Sequence, residues 1–305
     1  MATTEPRARQ AGGSYKPVNA ALRVLDVLFA VNALDGRATV GTLHQRTGLN
    51  KPTIVRMLET LMAAGYVVHD HGRQTYLITG KTISLSSSFD KPREIARLSA
   101  PLLGRFREEI GWPSDIAVFD TDAMLVIGSS REMGPLSFNR APGYRAPILA
   151  TSLGLCFSAH CCAETLERLI RRVLAGPAPW NALAQDRAAL EAKLARIRRE
   201  GFAEMDAAYS QSEYGNRVSS VGVPVLGRDK VYAAMNLIYF KKTLDRATVL
   251  SDLAPRLRAF ADELGALFDA QALELGETRR DRPPAPEAPT GTGSTGTGPT
   301  ESAAG

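Results

Sequence analysis

The chain has 305 residues, 44% of them hydrophobic and 23% charged. That is enough for two domains of about 150 residues, and no apolar run reaches the ~18 residues that crossing a membrane needs. Thirty-seven Lys and Arg against 32 Asp and Glu give a net charge of +5, which admits an anionic partner such as nucleic acid without requiring one.

Residues 1–15 lack periodicity and read as a mobile arm. Val18, Leu22, Leu25, Leu28 and Phe29 then recur at helical spacing until Asp35-Gly36 breaks the run. A short second helix fits 39–46, with Thr39 as N-cap, Val40 and Leu43 inward and Gly48 as stop. A third fits 51–64, capped by Asn50, with Pro52 in the first turn where a missing N–H does no harm. Gly65 closes it, and 66–78 alternates as two short strands around His71-Gly72-Arg73. Helix, helix, tight turn, helix and hairpin make a winged helix-turn-helix, expected over residues 16–80.

A linker helix is expected over 81–91. The second domain, 92–272, opens on an amphipathic helix over 92–110, bent at Pro101. Strands follow near 115–119 and 123–129, then helices over 152–160, 163–174 and 186–200. Strands near 203–209, 218–225 and 231–240 lead to a last helix over 251–272. This pattern predicts an α+β domain whose antiparallel sheet is flanked by helices. Residues 273–305 read as a disordered tail, since 283–305 alone holds five Pro and five Gly. Its Gly291-x-Gly293-x-x-Gly296 is no dinucleotide fingerprint, because no strand precedes it and no helix follows.

On the third helix, at 100° per residue, Leu58 and Leu61 fall within about 40° of Ile54 and form a buried stripe. Arg56, Thr60 and Thr53 lie across the helix from it, on the face that would enter a major groove, where Arg grips a guanine edge and Thr a phosphate or thymine methyl. Lys51 stands at the helix start, where a phosphate would lie, and Arg73 at the hairpin tip reaches a neighbouring groove or backbone. Residues 16–80 carry seven Lys and Arg against four Asp and Glu, or +3. The expected partner is double-stranded DNA; the alternative is an ordinary solvated helix face.

Gly48-Leu49-Asn50-Lys51-Pro52-Thr53, Arg56-Met57-Leu58-Glu59-Thr60-Leu61 and Gly65-Tyr66-Val67 resemble the winged helix-turn-helix of the IclR family of bacterial transcriptional regulators. The resemblance continues through Gly143-Tyr144-Arg145-x-Pro147, Thr151-Ser152-x-Gly154, Arg199-Glu200-Gly201-Phe202 and Ser219-x-x-Gly222-Val223-Pro224-Val225. Trp112-Pro113-Ser114-Asp115, Leu136-Ser137-Phe138-x-Arg140 and Met235-Asn236-Leu237-x-Tyr239 are most similar to activators of hydroxyphenylpropionate catabolism. Asn50-Lys51-Pro52 departs from that subgroup's usual opening, so the operator is expected to differ. The resemblance implies a homodimer, often a dimer of dimers, on a palindromic operator, each C-terminal domain binding a small carboxylated effector.

Arg140 and Arg145 flank a Pro/Gly turn leading to Thr151-Ser152, where a helix can open with N–H groups facing an anion. A guanidinium fork would hold the effector carboxylate; the alternative is a surface or intersubunit salt bridge. Asn236, polar within an apolar strand, needs a partner; the family's strand there lines the effector pocket, which makes Asn236 a candidate ligand contact together with Ser152 and Ser219.

The three cysteines, Cys156, Cys161 and Cys162, are an odd set that fits no disulfide framework, and the opening segment has no apolar leader, so a reducing cytoplasm is expected. His160-Cys161-Cys162 lacks metal-ligand spacing. No cofactor, metal or catalytic set is expected, and no membrane partner. The competing reading is a metabolic enzyme with an accessory N-terminal domain, using Cys156 or Asp115 as its reactive group.

Overall fold

The computed structural model describes residues 16–130, 142–176 and 179–280. The arm at 1–15, Arg140 and the chain beyond residue 280 lie outside the described residues.

The first unit is α1 (Asn19–Ala33), α2 (Val40–Thr47), α3 (Lys51–Ala63), β1 (Val67–Asp70) and β2 (Thr75–Ile78). Local chemistry fixes its punctuation. Thr39 Oγ1 accepts the Thr42 amide at 3.1 Å and Thr42 Oγ1 accepts the Thr39 amide at 2.8 Å, a reciprocal box with threonine in the usual Glu place. Gly48 ends α2 at φ +68°, and Asn50 Oδ1 takes the Thr53 amide at 2.9 Å to start α3. Ile54, Leu58 and Leu61 of α3 pack on Val27, Leu28 and Val31 of α1, with Leu43 and Val67 completing the core. Each such side chain contributes about 1.5–3 kcal/mol on leaving water.

Where a linker helix is expected over 81–91, the chain forms a 3-10 helix, Gly80–Phe89. The Ser84 and Ser86 hydroxyls donate to carbonyls three residues back, Lys81 at 2.7 Å and Ile83 at 2.9 Å, competing with the α-helical ladder. It runs into α4 (Asp90–Ile110).

The second unit is built on β3 (Ser114–Asp120), β4 (Ala123–Ser129), β5 (Arg145–Pro147), β6 (Ala203–Glu204), β7 (Val218–Leu226), β8 (Lys230–Phe240) and β9 (Glu277–Thr278). All its pairings are antiparallel, in the order β5-β4-β3-β8-β7-β6, with β9 on β8. α5 (Ser152–His160), α6 (Ala163–Leu174) and α7 (Arg187–Glu200) pack on one face; α4 and α10 (Ala254–Ala270) pack on the other. All nine residues of α5 are buried, as the apolar and small residues of its first eight positions require; the ninth is His160.

Four expectations change. The strand expected over 203–209 stops at Glu204, because the Asp206 carboxylate accepts the amides of Ala208 (2.9 Å) and Tyr209 (3.3 Å) and opens α8 (Ala207–Tyr214). The last helix begins at Ala254 rather than 251. A single turn, α9 (Arg246–Thr248), and a π segment over Val249–Leu253 precede it, and Pro255, which has no N–H to give the ladder, follows. The tail does not begin at 273: Lys230 pairs with Thr278 and Val231 with Glu277, and the Cys162 amide donates to the Thr278 carbonyl at 2.8 Å. β5 was not anticipated. Among the described residues no helix is long and apolar enough to cross a membrane.

Candidate DNA-contact and effector sites

The helix-wheel expectation holds where it can be compared: Ile54, Leu58 and Leu61 are buried, whereas Lys51, Arg56 and Thr60 are exposed and Thr53 is half-buried. Neither Lys51 nor Arg56 enters an ion pair among the described residues. Thr60 donates its hydroxyl proton to the Arg56 carbonyl at 2.8 Å, so it offers lone pairs and a methyl rather than a donor. At the wing, Asp70 Oδ1 accepts the amides of Gly72 (2.9 Å) and Arg73 (3.1 Å). The Arg73 side chain, 80% exposed, stands 4.0 Å from that carboxylate and is free to turn outward.

In the second unit, Asn236 is 1% exposed, and its partner is the neighbouring strand: Oδ1 accepts the Asp115 amide at 2.8 Å. Asp115 and Asn236 stand opposite each other in the ladder, and Asn236 stands opposite Gly222. Fully buried Asp115 accepts the Ser129 hydroxyl at 2.7 Å. Ser152 and Ser220 share a hydrogen bond of 2.7 Å beneath the start of α5, whose N-cap, Thr151, accepts the Gly154 amide. Ser129, Asp115, Asn236, Ser220 and Ser152 thus make a polar row on the α5 face of the sheet. Beside it, the Tyr144 and Tyr209 hydroxyls are 3.0 Å apart, and Trp180 meets the Tyr209 ring edge-on at 4.8 Å. Ala150, Met205 and Tyr214 complete this cluster, and the Met205 amide donates to the Ser220 carbonyl at 2.9 Å.

The structure separates residues grouped from sequence. Ser152 and Asn236 share the row. Ser219 does not: strand alternation places it with Val221 and Val223 toward α10, while its neighbour Ser220 faces Ser152. Arg145 sits at the sheet edge, held by Asp120 at 2.9 Å and Asp122 at 2.6 Å, so the alternative salt-bridge reading describes its present contacts. Arg145→Met should therefore leave effector affinity within about twofold and cost under about 1 kcal/mol of stability, since exposed pairs contribute little; calorimetric titration with thermal melting measures both. Tyr144, Tyr209 and Trp180 were missed because isolated aromatics carry no spacing signal.

His160, Cys161 and Cys162 do not converge. His160 Nδ1 lies 2.9 Å from the Cys156 carbonyl, Cys161 Sγ faces the Ser158 carbonyl and Cys162 Sγ faces Thr165. Burial pushes the Cys161 thiol up to about 12 and raises the fully buried Cys156 thiol further, its Sγ–H donating to the Gly222 carbonyl at 2.8 Å. Such thiols are poor nucleophiles. Two surface clefts, of about 720 Å³ beside Asp229 and Asp269 and about 710 Å³ beside Arg168 and Arg171, lie away from the polar row.

A family model described as the bacterial transcriptional regulator IclR C-terminal region matches residues 90–266, and the IclR helix-turn-helix domain matches 20–71. HTH-type transcriptional regulator BhcR of Paracoccus denitrificans is 26% identical over 65% of this chain and 71% of its own. The Pca regulon regulatory protein of Pseudomonas putida is 25% identical over 79% and 81%. Among solved structures, the Thermotoga maritima IclR superposes with a TM-score of 0.59 at 17% identity, covering 82% of this chain and 99% of its own. An IclR homologue of Microbacterium hydrocarbonoxydans, crystallised with 4-hydroxybenzoate, gives 0.54 at 21% identity over 82% and 99%.

Proposed function

The chain belongs to the IclR family of bacterial transcriptional regulators, and from that premise we propose that it senses a small aromatic carboxylic acid and that this acid alters its hold on operator DNA. The family is one of regulators rather than enzymes, its helix-turn-helix domain binds DNA, and its C-terminal domain takes a small-molecule ligand. The aromatic-acid reading is supported chiefly by one observation: a buried polar row lies beside a cluster of Tyr144, Tyr209, Tyr214 and Trp180 at the start of α5. The rings offer flat apolar walls, and Ser152, Ser220 and Asn236 supply the few placed polar groups that orient a ligand. The fold shared with a homologue crystallised with 4-hydroxybenzoate is consistent with this, and hydroxyphenylpropionate-like acids are the first candidates. We assign the effector contacts to Ser152, Ser220 and Asn236, leave Arg145 and Ser219 out of them, and take the DNA contacts to be Lys51, Thr53, Arg56, Thr60 and Arg73. The working assembly is a homodimer on a palindromic site in the cytoplasm.

Candidate acids should raise the melting temperature of the protein without being turned over; turnover would favour the enzyme reading. In gel-shift titrations Arg56→Ala should cost about 1–3 kcal/mol on the cognate operator and relax one base position, whereas Lys51→Ala should weaken all sequences alike and lower the salt slope by about 1. Wild-type operator binding in both variants would overturn the assignment of α3.

A further inference from the structure

Two of the four histidines of the chain stand two residues apart at the tip of the wing. We propose that His69 and His71 form a two-histidine chelate for a divalent transition-metal ion of the nickel and copper class. Their Nδ1 atoms are 3.0 Å apart, with the rings edge-on at 4.5 Å between centroids. At metal–nitrogen distances of about 2.0–2.1 Å, nitrogens so spaced subtend about 94° at the ion. That matches adjacent positions of a tetragonal or octahedral ion and is narrower than the ~109° of a tetrahedral one, which selects Ni²⁺ or Cu²⁺ over Zn²⁺.

The scaffold is built before any ion arrives. The Asp70 carboxylate grips the Gly72 and Arg73 amides, and Gln74 Nε2 donates to the His71 carbonyl at 2.8 Å, so the turn is tied at both ends. His69 rests on the Tyr76 ring, 4.6 Å between centroids. Without metal, one ring donates its Nδ1–H to the other; when an ion takes that place the proton moves to Nε2 of the same ring, and both imidazoles ligate as neutral Nδ1 donors. Asp70 Oδ1 is committed to the turn, and among the described residues no group of three or more His, Cys, Asp and Glu is placed to hold a metal. Water completes the shell, and the site is of the exchangeable kind. Arg73 works against a cation here, and the Asp70 charge 4.0 Å from it offsets that. The other two histidines are differently placed: His44 Nδ1 is taken by the Leu49 carbonyl at 2.6 Å, and His160 is buried.

The site is independent of what the wing touches, so its test is separate from that of DNA binding. Full-length protein carrying no affinity tag is titrated with Ni²⁺ by calorimetry, and the Cu²⁺ form is examined by electron paramagnetic resonance. One ion per chain is expected, with two coupled nitrogens in the Cu²⁺ spectrum. His69→Gln and His71→Asn should each weaken Ni²⁺ binding more than about tenfold and lose one coupled nitrogen, while His44→Gln changes neither. Circular dichroism of the metal-free variants checks that the substitutions, one at half-buried His69 and one at exposed His71, leave the fold intact. Wild-type Ni²⁺ affinity in both wing variants, or a loss confined to His44→Gln, would overturn the proposal.

Discussion

Gly154→Ala should destabilise the C-terminal unit by about 3 kcal/mol or more, lowering its melting temperature by about 6–12 °C at ~2–4 °C per kcal/mol for a unit of this size. A Cβ at residue 154 would stand 2.1 Å from the Ile148 carbonyl oxygen and 2.4 Å from its Cα. Those are backbone atoms, so no rotamer relieves the clash and α5 must lift. The opposite surface is equally shaved: a Cβ at Gly222 would lie 2.8 Å from the Ser152 carbonyl. Lifting α5 would also part Ser152 from Ser220 and open the proposed effector site, so ligand stabilisation should fall with the melting temperature. Gly104→Ala is the control. It lies in α4 with nothing within 4 Å of its Cβ position, and the substitution should leave stability equal or raise it by about 0.5–1 kcal/mol. Scanning calorimetry of the two variants decides the matter, and equal melting of Gly154→Ala and wild type would contradict this packing.

The second large effect is on acid stability. His160 is 8% exposed, and its pKa is pushed down to about 4, first by burial and then by the positive charges of Arg258, Arg279 and Arg198, against the raising effect of its bond to the Cys156 carbonyl. The unfolded chain takes up the same proton near the ordinary value of 6.5. Between those values the unfolded state binds more protons than the folded one. The contribution of neutral His160 is therefore fully present above about pH 6.5 and is lost as pH falls toward 4. The limiting slope is about 1.4 kcal/mol per pH unit, so the total is about 3 kcal/mol. His160→Gln should remove that part of the acid limb. Urea unfolding of both proteins at pH 7.5, 6 and 4.5 should show the difference between them shifting in favour of the variant as pH falls; a constant difference would show that His160 takes its proton equally in both states.

Much of the fold is legible residue by residue because its signals are local. Asn50 before Lys51-Pro52, Thr39 before Val40, and Gly48 and Gly65 after their helices state where chain direction changes, and each acts on amides or carbonyls within a few residues. The Ile54, Leu58 and Leu61 stripe is a consequence of helical period alone, and so is the opposite face that carries Lys51 and Arg56. The boundaries of α5, α6 and β4 are equally readable, since each is a continuous pattern between strong breaks. Asp206 also carried a cap signal, obscured by the apolar residues around it that suggested a strand.

The sequence by itself determined the winged helix, the helix-and-sheet composition of the second unit, and the isolation of Asn236 as a polar residue needing a partner. Only the tertiary structure decided which partner that was. β5 and β9 are three and two residues long, too short for any period, and they exist because β4 and β8 offer open ladder positions. Alternation says that Ser219 and Ser220 face opposite ways; which of them meets Ser152 depends on the side of the sheet that α5 covers. Arg145 shows the same limit from the charge side. A guanidinium beside a Gly/Pro turn suits a ligand or a salt bridge equally, and it is the return of β5 along β4 that sets it against Asp120 and Asp122. Local propensity acts through bonds a few residues long, whereas pairing, burial and ion contacts depend on residues 20 to 120 positions away, whose approach is fixed only when the whole sheet closes.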